Sequence, residues 1–180
     1  SFILRPGDKT ALIGQNDIQT TALIRALMGD IEYEGTVKWG VTTSQSYLPK
    51  DNSRDFAGGE SILDWLRQFA SKEEDDNTFL RGFLGRMLFS GDEVNKSVNV
   101  LSGGEKVRVM LSKLMLLKSN VLVLDDPTNH LDLESISSLN DGLKNFKESI
   151  IFASHDHEFI QTLANHIIVL SKNGVIDRID

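Results

Sequence analysis

Val121 to Asp132 reads VLVLDDPTNHLD, and the reading of this stretch decides the fold. Val121, Leu122, Val123 and Leu124 form a fully apolar run, as a central parallel strand buried on both faces requires. The run ends in two adjacent carboxylates, Asp125 and Asp126. Open α/β sheets bind their ligands at the C-terminal edge of such strands. There Asp125 can hold Mg²⁺ by an oxygen, directly or through water, and Asp126 can orient an attacking water. An acidic turn after a strand is the other reading, and the string alone does not separate the two.

On both sides of this stretch, short apolar runs alternate with helical periodicities, the pattern of an α/β domain. Thr10 to Ile13 reads as a buried strand after a Pro6-Gly7-Asp8 turn. It runs into Gly14 and then a helix carrying Leu23, Ile24, Leu27 and Met28, with Gly29 as its stop. Gly35 to Gly40 and Ser44 to Leu48 alternate like strands of an antiparallel, half-exposed sheet. Asp51 to Gly59 is polar and glycine-rich, a loop. Ile62, Leu63, Leu66 and Phe69 share one helical face, and Phe79, Leu80, Phe83, Leu84, Met87 and Leu88 mark a second helix. Residues 71–77 between them form an exposed acidic connection. This middle part reads as an all-helical insertion in an α/β frame. Val107, Met110, Leu111, Leu114 and Leu117 mark the next helix. Downstream come a helix over Leu133 to Phe146 capped by Asp132, a strand over Ile150 to Ala153, and a short helix over Glu158 to Ala164. A hairpin of Ile167 to Leu170 and Val175 to Ile179 closes the chain around Asn173-Gly174.

Two further motifs carry chemistry. Leu101-Ser102-Gly103-Gly104-Glu105 opens a helix, with Ser102 and Glu105 at capping-box spacing. Two glycines within a helix disfavour it by ~1 kcal/mol each. They make sense where backbone N–H groups must approach an anion closely at a helix N-terminus. Ala153-Ser154-His155-Asp156-His157 follows a buried strand, which puts His155 at the same sheet edge as Asp125. From there it can hydrogen-bond a terminal phosphate or an attacking water.

With 180 residues, the chain can bury one core and a small inserted subdomain. Hydrophobic residues make up 40% and charged residues 25%, an ordinary globular composition. The net charge of −7 argues against a stand-alone nucleic-acid binder, because phosphate backbones reward a basic surface. There is no cysteine, which excludes disulfides and thiolate chemistry and fits a reducing compartment. No apolar run approaches the ~20 residues that span a bilayer, and no signal peptide is visible. The opening on Ser1-Phe2-Ile3-Leu4, without an initiator methionine, leads to the expectation of a fragment cut from a longer protein.

The three motifs, in this order and spacing, resemble the ATP-binding-cassette family over essentially the whole chain. The resemblance implies a RecA-like P-loop NTPase core over 1–55 and 105–180, with an antiparallel β edge and an inserted helical subdomain at 56–104, together one nucleotide-binding domain. It implies ATP and Mg²⁺ as cofactors and a second cassette as partner, with ATP sandwiched between the two. The loop Ser102-Gly103-Gly104-Glu105 then binds the γ-phosphate of an ATP held by the partner, and His155 matches the family's switch histidine. Asn129-His130-Leu131-Asp132 is similar to the ABC-F version of the loop after Walker B, where transporter cassettes usually carry a small residue pair. That subfamily has two cassettes on one chain and no membrane domain, acts on ribosomes and is cytoplasmic. The segments around Val37 to Phe56 and Gly85 to Glu105 look most like its second, C-terminal cassette. A transporter cassette, or a non-hydrolysing cassette that supports a partner's site, stays open as an alternative.

The chain departs from the family pattern where phosphate should bind. Aligned on Gly14 and Gly29-Asp30, the loop reads GQNDIQTT against GxxxxGK[ST]. Gly14, Gln15, Asn16, Gln19, Thr20, Thr21 and Ala22 are the candidate nucleotide-binding residues, and Thr21 joins Asp125 as a candidate metal ligand. Gln19 replaces a glycine and Thr20 the lysine. The lost charged hydrogen bond is worth ~1.5–3 kcal/mol. The helix N-terminus and its free N–H groups remain. Asp126 stands where the family has glutamate, and a displacement of ~1 Å can slow catalysis ~100-fold. Lys50, in Tyr47-Leu48-Pro49-Lys50, replaces the Q-loop glutamine. It either returns charge to the γ-phosphate or is a solvated loop lysine. The family's adenine-stacking aromatic would lie before Ser1.

Overall fold

The structure is a computed structural model and describes residues 1–179. The chain divides into two compact units. One comprises residues 1–50, 119–128 and 143–179, the other 51–118 and 129–142.

The first unit is built on a six-stranded sheet. Its strands are β1 (Lys9–Ile13), β2 (Gln45–Leu48), β3 (Val121–Asp125), β4 (Ser149–Ala153), β5 (His166–Ser171) and β6 (Gly174–Ile179), in the order β2-β3-β4-β1-β5-β6. All pairs are parallel except β5–β6, which form the antiparallel edge. Every residue of β3 is buried, as its apolar run requires. Helix α1 (Asp17–Leu27) follows β1, and its Ile24 joins Leu12, Val121, Val123, Ile151, Ala153 and Ile168 in one buried core cluster. It ends at Gly29, whose φ of +76° allows the Asp30 N–H to reach the Arg25 carbonyl at 2.8 Å. Helix α6 (His157–Leu163) is capped by Asp156, which accepts from the Phe159 N–H at 2.9 Å.

The structure corrects the expected β edge on one side. Gly35 to Gly40 forms no strand, and Gly35 adopts φ +117°. Gln45–Leu48 pairs parallel with β3, Tyr47 opposite Val123. As an edge strand, β2 buries Ser46 and Leu48 while leaving Gln45 and Tyr47 half-buried. That alternation imitates a half-exposed antiparallel strand. The antiparallel pairing lies instead at the opposite edge, in the hairpin that turns at Gly174.

Buried polar contacts hold the β5–β6 edge. His166 is buried, with its Nδ1 3.2 Å from Asp8 Oδ2 and its Nε2 2.5 Å from Asp177 Oδ1. The Lys9 ammonium donates to the carbonyls of Phe146 and Glu148, and burial pulls its pKa down against the opposing pull of Glu148.

The second unit is helical. Helices α2 (Ile62–Arg67), α3 (Asn77–Arg86) and α4 (Gly103–Leu116) bury Ile62, Leu66, Leu80, Leu84, Val109, Met110 and Leu114. Trp65 stacks on Phe56 with ring centroids 5.0 Å apart, and the Lys113 ammonium lies 4.2 Å from the Phe69 ring centroid. This unit is wider than the helical insertion expected at 56–104. The apolar face of α4 packs on α2 and α3, so α4 belongs with them. Most of helix α5 (Leu133–Asn145) falls in this unit too, capped by Asp132 through the Ser135 N–H at 2.8 Å. No helix among the described residues is long and apolar enough to cross a membrane.

Candidate nucleotide-binding site

The C-terminal ends of β1, β3 and β4 are adjacent in the sheet, and each delivers one motif to the same edge. Together they line a cavity of ≈ 210 Å³ with Gly14, Gln15, Asn16, Asp17, Thr20, Lys50, Asp125, Asp126 and His155 on its wall. That volume is below the ~300 Å³ of ordinary small-ligand pockets, and suits one polar end of a ligand. A larger cavity of ≈ 840 Å³, lined by Phe2, Leu4, Leu27, Tyr33 and Trp39 among others, contains none of the candidate site residues.

Asn16 caps α1, its Oδ1 accepting from the Gln19 N–H at 3.1 Å. Gln19 folds its side chain back over the loop, and its Oε1 accepts from the Gln15 N–H at 3.0 Å. A Cβ added to Gly14 would lie 3.1 Å from that same oxygen, so the loop is tight here. Thr20, in the position of the missing lysine, turns its hydroxyl to the Asp17 carbonyl at 3.1 Å. Ala22 lies two residues further along α1, half-buried.

Among the described residues, two buried side-chain oxygens have no hydrogen-bond partner: Thr21 Oγ1 and Asp125 Oδ2. They belong to the two residues singled out as metal ligands. Buried polar atoms are seldom left unsatisfied, and a hard cation or its water would satisfy both. Burial pushes the Asp125 carboxyl up, while the nearby Thr21 hydroxyl and Lys50 pull it down. The same burial, with Asp125 nearby, raises the Tyr47 phenol to about 12. No group of three or more His, Cys, Asp or Glu among the described residues could hold a metal alone. A Mg²⁺ here would take its remaining ligands from phosphate and water.

Asp126 adopts φ +53°, with its N–H on the Ala153 carbonyl at 2.8 Å, which ties the end of β3 to the end of β4. His155 Nε2 is 3.9 Å from Asp126 Oδ2 and 2.8 Å from Asp17 Oδ1. Lys50 Nζ reaches the other Asp17 oxygen at 3.0 Å. Asp17 was not singled out in the sequence, although an acidic residue inside an anion loop is itself a signal. The bonds from Lys50 and His155 hold its carboxyl below the ordinary value. Lys50 is pushed down by burial and up by Asp17, with a net rise.

The segment Ser102 to Glu105 lies in the second unit. Its capping box is complete, with the Glu105 N–H on Ser102 Oγ at 3.2 Å and the Ser102 N–H on Glu105 Oε1 at 3.4 Å. Lys96 braces Glu105 at 3.2 Å. Both glycines have a reason within the fold. A Cβ on Gly103 would meet the His130 side chain at 3.3 Å, and one on Gly104 the His130 carbonyl oxygen at 2.6 Å.

Comparison with known proteins identifies the family. The ABC transporter family model matches residues 1–129. An uncharacterized ABC transporter ATP-binding protein of Bacillus subtilis, YkpA, is 57% identical over 99% of this chain and 33% of its own length. The probable ATP-binding protein YbiT of Escherichia coli O157:H7 is 41% identical over 98% of this chain and 33% of its own. The chain thus spans about a third of the length of these relatives. "ABC transporter F family member 2" of Arabidopsis thaliana is 31% identical over 98% of this chain and 26% of its own. A putative metal-chelate-type ABC transporter in an inward-facing conformation has the same fold, with a TM-score of 0.78 at 22% identity over 99% of this chain and 74% of that one. The chain belongs to the ABC transporter family, as an ATP-binding cassette domain with the P-loop NTPase fold.

Proposed function

We propose that this cassette binds MgATP in the cavity at the β1–β4–β3 edge and hydrolyses it against a partner cassette, within an ABC-F-type protein that works on ribosomes in the cytoplasm. The observation that carries the nucleotide reading is a pair of buried oxygens without a hydrogen-bond partner, Thr21 Oγ1 and Asp125 Oδ2, on side chains that lie near each other. On this reading Thr21 and Asp125 hold the metal, which neutralises phosphate charge. Asp126 holds the attacking water, and His155 and Lys50 contact the terminal phosphate. Two things support the ABC-F assignment: the Asn129-His130-Leu131-Asp132 loop and the likeness to the Arabidopsis F-family member. The length of the relatives leaves room for a second cassette on the same chain.

A second reading has its own support. Thr20 stands in place of the lysine and spends its hydroxyl on the Asp17 carbonyl; on this reading the site binds without turning over while Ser102 to Glu105 completes a partner's ATP site. The full-length protein decides between them. ATP turnover, together with sedimentation with ribosomes rather than membranes, supports the first reading. Loss of turnover at the partner's site in Ser102→Arg supports a role of the signature loop in trans. Normal turnover in that variant removes this role.

A further inference from the structure

We propose that Asp17 is a resident anion: its carboxylate holds Lys50 and His155 in the place of a phosphate, and nucleotide binds by displacing it. This inference rests on the nucleotide reading of the cavity and adds a built-in competitor to it.

The geometry is that of a substituted ligand. Each Asp17 oxygen takes one donor, Oδ2 from Lys50 at 3.0 Å and Oδ1 from His155 at 2.8 Å. Lys50 follows β2, His155 follows β4, and Asp17 opens α1, so three separate elements converge on one carboxylate. All three residues line the cavity. Lys50 is the cationic side chain that lines it, beside three carboxylates, Asp17, Asp125 and Asp126. A phosphate entering this cavity must therefore compete with Asp17 for the group best able to bind it.

The loop shows the same self-occupation a second time. Gln19 Oε1 accepts from the Gln15 N–H, a backbone donor at the loop where an anion would dock. The Asn16 bond to the Gln19 N–H is an ordinary helix cap and adds nothing to the argument. Asp17 and Gln19 both lie inside the segment in which one glycine and the lysine are replaced, so the loop supplies acceptors where it has lost a donor. An exposed ion pair of no consequence is the competing account, since Asp17 and Lys50 are partly exposed.

The test is calorimetric titration of MgATP onto the 180-residue chain, comparing wild type, Asp17→Asn, and Asp17→Asn combined with Lys50→Ala. Circular dichroism confirms folding, and Asp17→Gly carries the same test should Asp17→Asn fail to fold. The expected result is affinity about tenfold tighter in Asp17→Asn than in wild type, with the gain lost once Lys50 is alanine. Binding by Asp17→Asn where wild type shows none supports the proposal equally. Measurable wild-type binding that Asp17→Asn leaves unchanged or weakens overturns the proposal and leaves the nucleotide reading standing. Absence of binding at millimolar MgATP in wild type, Asp17→Asn and Asp17→Gly alike overturns both.

Discussion

The Gly104 backbone packs so closely beneath the His130 carbonyl that a Cβ at Gly104 would lie 2.6 Å from that oxygen. This is tighter than any ordinary contact, and the neighbour is backbone rather than a movable side chain. Alanine would otherwise favour helix α4 by ~1 kcal/mol. We predict that Gly104→Ala destabilises the chain by about 1–3 kcal/mol, the usual range for overpacking, read as a lower urea midpoint. Gly103→Ala meets the His130 ring at 3.3 Å, which can give way, and should lose less. Equal stability of Gly104→Ala and wild type would show that the 129–132 loop moves freely.

Lys50→Ala should leave the melting temperature of the nucleotide-free chain unchanged, because its pair with Asp17 is partly exposed and screened. Its affinity for MgATP should fall about tenfold, the lower end for a charged hydrogen bond. Calorimetry on both proteins checks this. Unchanged affinity would make Lys50 a solvated loop lysine.

Glu105 gives a pH-dependent prediction. Burial pushes its carboxyl up, but the bonds from Lys96 and Ser102 outweigh this and hold it below the ordinary value of 4.5. A depressed folded-state pKa means that the unfolded chain binds more protons as the solution is acidified. The stability from Glu105 is present in full above pH 4.5 and is lost as pH falls through the lower folded value. Glu105→Gln keeps an acceptor for the Ser102 N–H and removes the charge. It should lower stability by about 0.2–1 kcal/mol at neutral pH, with the difference shrinking as pH falls below 4.5 and through the lower folded value. Urea titrations across that range measure it, and a constant difference would assign the effect to packing instead.

His166 bridges Asp8 and Asp177 from a fully buried position. Replacement by leucine leaves both carboxylates facing an apolar group. We predict a loss of about 1–3 kcal/mol, with amide hydrogen exchange increasing first in the β5–β6 hairpin. Uniform acceleration across the sheet would place the bridge in the global core rather than at its edge.

Much of the fold was legible in the sequence because its signals are local. The apolar run Val121 to Leu124 could only be a buried strand. Gly29, Asp132 and Asn173-Gly174 marked ends and turns by their backbone chemistry. The edge strand β2 misled, because a parallel strand with one neighbour shows the same alternation as an antiparallel one. In the candidate site, Gly14, Lys50, Asp125, Asp126 and His155 were singled out as motifs, and the structure gathers them around one cavity. Asp17 was passed over because it fell at a variable position of the pattern. His166 was passed over because nothing near it in sequence reveals its two partners.

The sequence by itself determined the strand–loop–helix order, the caps and the family, since each depends on residues a few positions apart. Only the tertiary structure decided which side chains meet. Asp17 and Lys50 are 33 residues apart, and His166 and Asp8 are 158 apart. Such pairs form because the sheet order β2-β3-β4-β1-β5 brings together strand ends that are distant in sequence. That order is set by the burial of whole strands, which no local pattern encodes.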